Sequence, residues 1–178
     1  MKLNVEAKYL VEGLIFDEVV STVKSLVSED MTSFSSGGAI DAYWPPSSKG
    51  TASFTRLRVS DDKTYLTSNS IIKGGIRYDV NVENVNKDEL VGLLTEALGD
   101  PTLVTFRCAK FKVDKDVLIS VTSVIDCAPE CFVDIEATCF ESAVKWKTKL
   151  GAGLSIQKVR NSTYDIFVNR NGIVLSSH

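Results

Sequence analysis

The feature that most limits what this chain can fold into is a strand rhythm whose polar positions are nearly all charged. In residues 3–11, LNVEAKYLV, the residues Leu3, Val5, Ala7, Tyr9 and Val11 fall on alternate positions, with Asn4, Glu6, Lys8 and Leu10 between them. A period of two reads as a half-buried strand. The rhythm returns at 51–60, where Phe54, Arg56 and Arg58 share one face and Thr55, Leu57 and Val59 the other. At 76–85, Ile76, Tyr78, Val80 and Val82 point one way and Arg77, Asp79, Asn81 and Glu83 the other. Residues 103–113 and 116–125 read as a strand pair joined around Asp114-Lys115-Asp116, and 131–139 sends Asp134 and Glu136 to the side opposite Val133, Ile135 and Ala137. Two further segments read as strand and turn: SIIK at 70–73 leading into Gly74-Gly75, and a hairpin over 163–176 with Asn171-Gly172 at its tip.

Three stretches switch to helical spacing. Over 16–27, Phe16, Val19, Val20, Val23, Leu26 and Val27 make one apolar face, with Asp17 and Glu18 in the first turn, where the helix dipole favours them. Asn86 is a good N-cap for a second helix, whose apolar face is Leu90, Val91, Leu94, Ala97 and Leu98 and which Gly99 and Pro101 end. A third, over 141–151, has Ala143, Val144 and Leu150 as its apolar face and Gly151 as its stop. PPSSKG at 45–50 reads as a loop. Antiparallel strands in series with few helices imply α+β, with a closed or strongly curved sheet.

The 178 residues read most simply as one domain, 1–178, and no apolar run reaches the roughly 18 residues of a membrane span. No signal peptide is visible, and Cys108, Cys127, Cys131 and Cys139 match no zinc spacing. They read as reduced thiols in a cytoplasmic setting. A net charge of −3 argues against a whole-surface nucleic-acid binder, but not against a locally basic cavity.

The charges are selective. Glu6 and Lys8, Arg56 and Arg58, Lys73, Arg77 and Asp79, Arg107 with Lys110 or Lys112, and Asp134 and Glu136 lie on strand after strand. In a closed sheet such residues point at a common interior. Buried charges need partners or a ligand. Lys and Arg suit phosphates, and carboxylates without His or Cys suit a hard cation such as Mg²⁺ or Mn²⁺. A polyphosphate with its metal answers both sets.

The order of these motifs resembles the CYTH superfamily, the triphosphate tunnel metalloenzymes, which include class IV adenylate cyclases, thiamine triphosphatases and inorganic triphosphatases. NVEAK is similar to the family's ExExK strand, DAYW at 41–44 to its D-x-Y-aromatic strand, and RLR to its R-x-R strand. IIKGG resembles L-x-K-G-P, RYDVN resembles R-x-E-x-E, and FRCAK stands where K-x-R is expected. CFVDIE resembles F-V-E-I-E, and NSTYDIFV the closing S-Y-x-x-L-L. The resemblance spans residues 3 to about 168 and implies a closed eight-stranded antiparallel β-barrel, the triphosphate tunnel, with flanking helices. It implies Glu6, Asp134 and Glu136 as metal ligands for Mg²⁺ or Mn²⁺. Lys8, Arg56, Arg58, Lys73, Arg77, Arg107 and Lys110 would bind the substrate. Glu6, Lys8, Asp79 and Glu136 would form the catalytic group.

Four positions depart from the family pattern. Asn4 replaces the first acid of ExExK and Asn81 the second of R-x-E-x-E. Thr122 or Ser123 occupies the place of a further Asp, and Lys110 has the opposite parity to Arg107 unless a bulge re-aims it. Two classes of function follow. One is a metal-dependent hydrolase of a small-molecule triphosphate, with class IV adenylate cyclase as a variant. The other is a weak or inactive tunnel that binds nucleotide, polyphosphate or RNA 5′-triphosphate. Either is expected as a monomer or homodimer without a membrane partner.

Overall fold

The computed structural model describes residues 5–44, 54–60, 63–72, 76–83, 86–125 and 131–159, with 54, 60, 63, 68–72 and 76–83 described as strand only. The elements in chain order are β1 (Val5–Val11), α1 (Phe16–Val27), β2 (Met31–Trp44), β3 (Phe54–Ser60), β4 (Lys63–Ile72), β5 (Ile76–Glu83), α2 (Lys87–Leu98), β6 (Thr102–Val113), β7 (Val117–Val124), β8 (Cys131–Ala137), α3 (Phe140–Gly151) and β9 (Ile156–Val159). The chain divides into two compact units, Met1–Gly37 with Phe106–Phe167, and Gly38–Thr105 with Val168–His178. Strands β2 and β6 are each shared between them.

The first unit carries the ladder β6-β7-β8-β1-β9, antiparallel throughout. One face of this ladder is continuously apolar. Ala109, Phe111, Val113, Ile119, Val121, Val133 and Ile135 are fully buried there beneath α1 and α3. Helix α1 buries Phe16, Val19, Val23 and Val27, at the spacing its sequence dictates. Glu18 Oε2 accepts from the Ile15 backbone N–H at 3.0 Å, so an acid of the first turn satisfies an otherwise orphaned donor. Helix α3 buries Ala143, Trp146 and Leu150. The expected Val144 stays exposed, because Trp146 occupies the core-facing position and offers far more apolar surface. Gly151 is the last residue of α3 rather than its stop, and Ala152 is the cap.

The β6–β7 turn is pinned by one residue. Asp114 takes a left-handed backbone (φ 53°), which a short Asx side chain tolerates better than most. Its Oδ2 accepts from Trp146 Nε1 at 3.2 Å and from Lys145 Nζ at 3.4 Å. Lys149 Nζ bonds Asp30 Oδ2 at 2.6 Å and lies 4.9 Å from the Trp146 ring. The turn and α3 are thus held by the same indole.

The second unit carries β5-β4-β3-β2 as successive antiparallel neighbours. Among the described residues its core cluster is Ala42, Trp44 and Leu57, with Leu66 and with Leu90, Val91 and Leu94 of α2 packed on it. Asn86 caps α2 through Oδ1 to the Glu89 N–H, and Gly99 ends it at a positive φ of 85°, as the sequence leads one to expect. Leu98, assigned to the apolar face, is exposed.

The structure is α+β, an antiparallel sheet with three helices among the described residues. Among those residues no ladder joins β5 to β9, so hydrogen bonds do not close the sheet into the expected eight-stranded barrel. The loop at 45–50, the Gly74-Gly75 turn, Cys127 and the hairpin over 163–176 lie outside the described residues. No helix among the described residues is long and apolar enough to cross a membrane.

Candidate functional site

Each unit presents a polar face on the side of its strands away from the helices. In the first unit, register determines who meets whom. Cross-strand partners share a face, so Lys112, Leu118, Glu136 and Glu6 form one row across β6, β7, β8 and β1. Lys110, Ser120, Asp134 and Lys8 form the next, and Cys108, Thr122, Phe132 and Leu10 a third. Lys8 Nζ stands 3.5 Å from Asp134 Oδ1, with both side chains mostly buried. Glu6 is exposed and sits directly opposite Glu136. The third row turns apolar, with Phe132 buried. Thr122, at the place of an expected acid, is on this face, whereas Ser123 is on the helix side opposite Cys131. Burial raises the Cys131 thiol above its ordinary pKa. Cys131 and Cys139 form no disulfide among the described residues.

Glu6, Lys8, Lys110, Asp134 and Glu136 are therefore brought together. Arg107 is not. It lies on the helix side of β6, where its two terminal nitrogens clasp Asp17 at 2.8 and 3.3 Å and its guanidinium covers the Phe16 ring at 4.3 Å. The physical reason is parity. No bulge interrupts the β6–β7 register, so residues 107 and 110, three apart, point to opposite faces.

In the second unit the organising group is Asp41, which is fully buried. Its carboxylate takes a two-point clasp from Arg58, Nε and Nη2 both at 2.8 Å, and a hydrogen bond from the Tyr43 hydroxyl at 3.0 Å. Arg56 Nη1 is 3.9 Å from the same carboxylate and Nη2 donates to Thr67 Oγ1 at 3.3 Å. Arg56 Nε is buried with no hydrogen bond among the described residues. Burial, with the neighbouring Asp41 charge, pushes the Tyr43 phenol well above its usual range, so it stays a donor. Arg58 is opposite Asp41 and Tyr65; Arg56 is opposite Tyr43 and Thr67. By register Glu83 continues the first of these rows on β5, opposite Tyr65, and Asn81 the second, opposite Thr67; Asp79 is opposite Asn69 and Arg77 is opposite Ile71. Lys73 and Asn4 lie outside the described residues.

Asp41 and Tyr43 were legible as a motif but not as site residues. Their parity with Arg58 and Arg56 is the signal that finds them: D-A-Y and R-L-R both place polar groups at every second position.

The carboxylates fit a hard cation by donor chemistry. Glu6 and Glu136 lie directly opposite one another on neighbouring strands. Among the described residues no three His, Cys, Asp or Glu side chains converge as a ready metal cage.

No known protein family matches the chain, and no curated protein does. Solved structures do. The PH1819 protein of Pyrococcus horikoshii OT3 is 20% identical, with a TM-score of 0.67 over 93% of this chain and 99% of its own. A putative adenylate cyclase from Bacillus halodurans is 15% identical, with a TM-score of 0.62 over 95% and 97%. The putative adenylyl cyclase HpAC1 from Hippeastrum, described as having a dominant triphosphatase activity, is 12% identical with a TM-score of 0.60 over 98% of each chain. At these identities the shared property is the fold. The chain therefore shares its fold with solved proteins described as putative adenylate cyclases.

Proposed function

We propose that the chain is a divalent-metal-dependent hydrolase of a triphosphate, whether inorganic triphosphate, a nucleoside triphosphate or another organic triphosphate. The observation that carries this reading is the facing pair Glu6–Glu136 beside the Lys8–Asp134 ion pair, on a face that also offers Lys110. Such a face has use for a cation and an anion together. Closure of the sheet into a tunnel is part of the proposal.

In this reading Glu6 and Glu136 hold Mg²⁺ or Mn²⁺, with Asp134 restrained by Lys8. The metal, when bound, supplies charge neutralisation on the phosphate oxygens. Lys8, Lys110, Arg56 and Arg58 bind those oxygens, joined by Lys73 and Arg77 as the resemblance implies. Asp41 fixes the Arg58 fork so that it need not be ordered on binding. Water attacks a terminal phosphorus, the phosphoanhydride P–O bond breaks, and the two phosphate products carry the proton inventory of the water. Asp79 is assigned, by the resemblance, to orienting basic groups. The protein acts as a monomer or homodimer in the cytoplasm on small triphosphates, with RNA 5′-triphosphate as the alternative ligand.

The test is a release assay with Mg²⁺ and Mn²⁺ over inorganic triphosphate, ATP, GTP, thiamine triphosphate and a 5′-triphosphorylated RNA. Metal-dependent orthophosphate from at least one is expected. Pyrophosphate with cyclic AMP would replace the hydrolase by a cyclase. Glu136→Ala should cut metal-dependent turnover on the order of 100-fold with the fold intact; unchanged turnover would remove Glu136 from the metal site.

Asn4, Asn81 and Thr122, which stand where the resembled family has acids, favour a second reading, in which the face binds a triphosphate without hydrolysing it. Ligand-induced thermal stabilisation with no product across the whole panel would establish it.

A further inference from the structure

We infer that the first unit seats the free terminal phosphate of its ligand on the hydroxyls of Ser120 and Thr122, at an inner end of the charged face that is closed beyond them. The ligand class is then a triphosphate with at least one unsubstituted end, and any organic group it carries lies at the Glu6–Glu136 end. The inference rests on the triphosphate reading above and deepens it by giving the ligand a direction.

A gradient along the strands carries it. The register over β6, β7, β8 and β1 is unbroken, so successive rows of the face are two residues, about 6.6 Å, apart. In the outer row Glu6 and Lys112 are exposed, and Glu136 and Leu118 half-buried. In the next, Lys110 is exposed, whereas Ser120 and Asp134 are buried. In the third, Thr122 is 9% and Phe132 2% exposed. A fourth pair on the same face, Phe106 opposite Val124, is 3% and 0% exposed. Polarity falls in step with exposure. A phosphate oxygen pushed past Thr122 would meet the packed side chains of Phe106 and Val124, which offer it no donor. Charge desolvated without a partner is costly. A phosphate chain that enters from the outer row therefore stops at the third.

Ser120 and Thr122 are what the chain meets where it stops. They are successive residues on one face of β7. Neither hydroxyl has a hydrogen bond among the described residues, and neither is among the buried polar atoms left without a partner, so both keep access to solvent. A hydroxyl donates to an anion without bringing a charge of its own. An ionised acid in the place of Thr122 could only accept, and would repel a phosphate. A terminal phosphate has more charge and more unshared oxygens than an internal one, so it is the group that two donors favour most. A second organic group in place of the free end would need space beneath Thr122, and Phe106, Val124 and Phe132 already fill it.

The experiment measures binding to the full chain by calorimetry, with Mg²⁺ present, of inorganic triphosphate, ATP and diadenosine triphosphate, the last substituted at both ends. Diadenosine triphosphate should bind at least about tenfold more weakly than ATP. Thr122→Val should weaken ATP and inorganic triphosphate roughly tenfold, and so erase most of that preference. Its melting temperature should not fall, because a methyl group replaces a hydroxyl beside Phe132. Thr122→Ser should recover the affinity, which a packing role for the side chain would not predict. Ser120→Ala should weaken the same two ligands by a smaller factor, roughly fivefold. Diadenosine triphosphate bound within about twofold of ATP, or an ATP affinity unmoved by Thr122→Val, overturns the inference while the triphosphate reading stands. A wild-type chain that binds none of the three overturns both.

Discussion

The two units solve the same problem, a polar face on a thin sheet, in opposite ways. In the second unit one fully buried acid, Asp41, is saturated by Arg58 and Tyr43 at hydrogen-bond distance. Its arginine geometry is set before any ligand arrives. In the first unit charges are spread over four strands, the closest described ion pair on that face is a 3.5 Å contact, and two carboxylates confront each other. The apolar sides differ in the reverse sense. The first unit rests on a core under two helices, whereas in the second the described core cluster is Ala42, Trp44 and Leu57, and α2 has no fully buried residue. Buried ion pairs contribute little to stability against apolar alternatives, but removing one partner is expensive.

That contrast can be broken most forcefully with matched core truncations. The chain has two tryptophans, Trp146 in the first unit and Trp44 in the second, so each can report its own unit once the other is replaced by Phe. Leu150→Ala should cost about 4 kcal/mol in the Trp146 signal, and Leu57→Ala about 2.5 kcal/mol in the Trp44 signal, because a thin core collapses more readily around a cavity. Equal losses in urea unfolding would erase the difference in core depth. Next in size is the acid comparison. Asp41→Ala strands Arg58 and the Tyr43 hydroxyl and should cost about 3 kcal/mol, while Asp134→Ala should cost about 1 kcal/mol. A larger loss at Asp134 would reverse the assignment of which face is preorganised.

The smallest effect concerns pH. The hydrogen bond from Lys149, reinforced by its charge and that of Lys145, holds the Asp30 carboxyl below its usual range. A lowered native pKa means that this contact stabilises the fold above the ordinary carboxylate range. The contribution is lost as pH falls through the lowered value. Lys149→Met should return the Asp30 titration, followed by carboxyl NMR, toward the usual range; an unmoved titration would show that the 2.6 Å contact does not govern it.

Much of this was legible in the sequence because period two and period 3.6 are direct consequences of backbone geometry. The bounds of α1 follow from its apolar spacing, and those of α2 from Asn86 and Gly99. What escaped were elements whose residues carry no such contrast. The first ten residues of β2, MTSFSSGGAI, are mostly small or polar and do not alternate; their strand conformation comes from neighbours, as when Thr32 Oγ1 donates to the Lys112 carbonyl. Only the end of β4 and none of β9 was visible for the same reason, since KTYLTSNS and IQKV lack an apolar face that repeats. At the site, residue types were readable but side was not always. Arg107 and Lys110 look equivalent in a string of letters, and only the register against β7 separates them.

The placement of β1 has a consequence for how the chain is made. Residues 5–11 emerge before every other described strand, yet their ladder partners are 131–137 and 156–159. The strand bearing Glu6 and Lys8 must therefore wait until residues 131–137 have been made before it acquires its first neighbour. The ladder β2-β3-β4-β5, by contrast, is a series of neighbours in sequence that can zip up as soon as residue 83 is available. Contacts this distant in sequence close slowly. On the ribosome the arginine-bearing meander would stand assembled while the first strand still searched for its place.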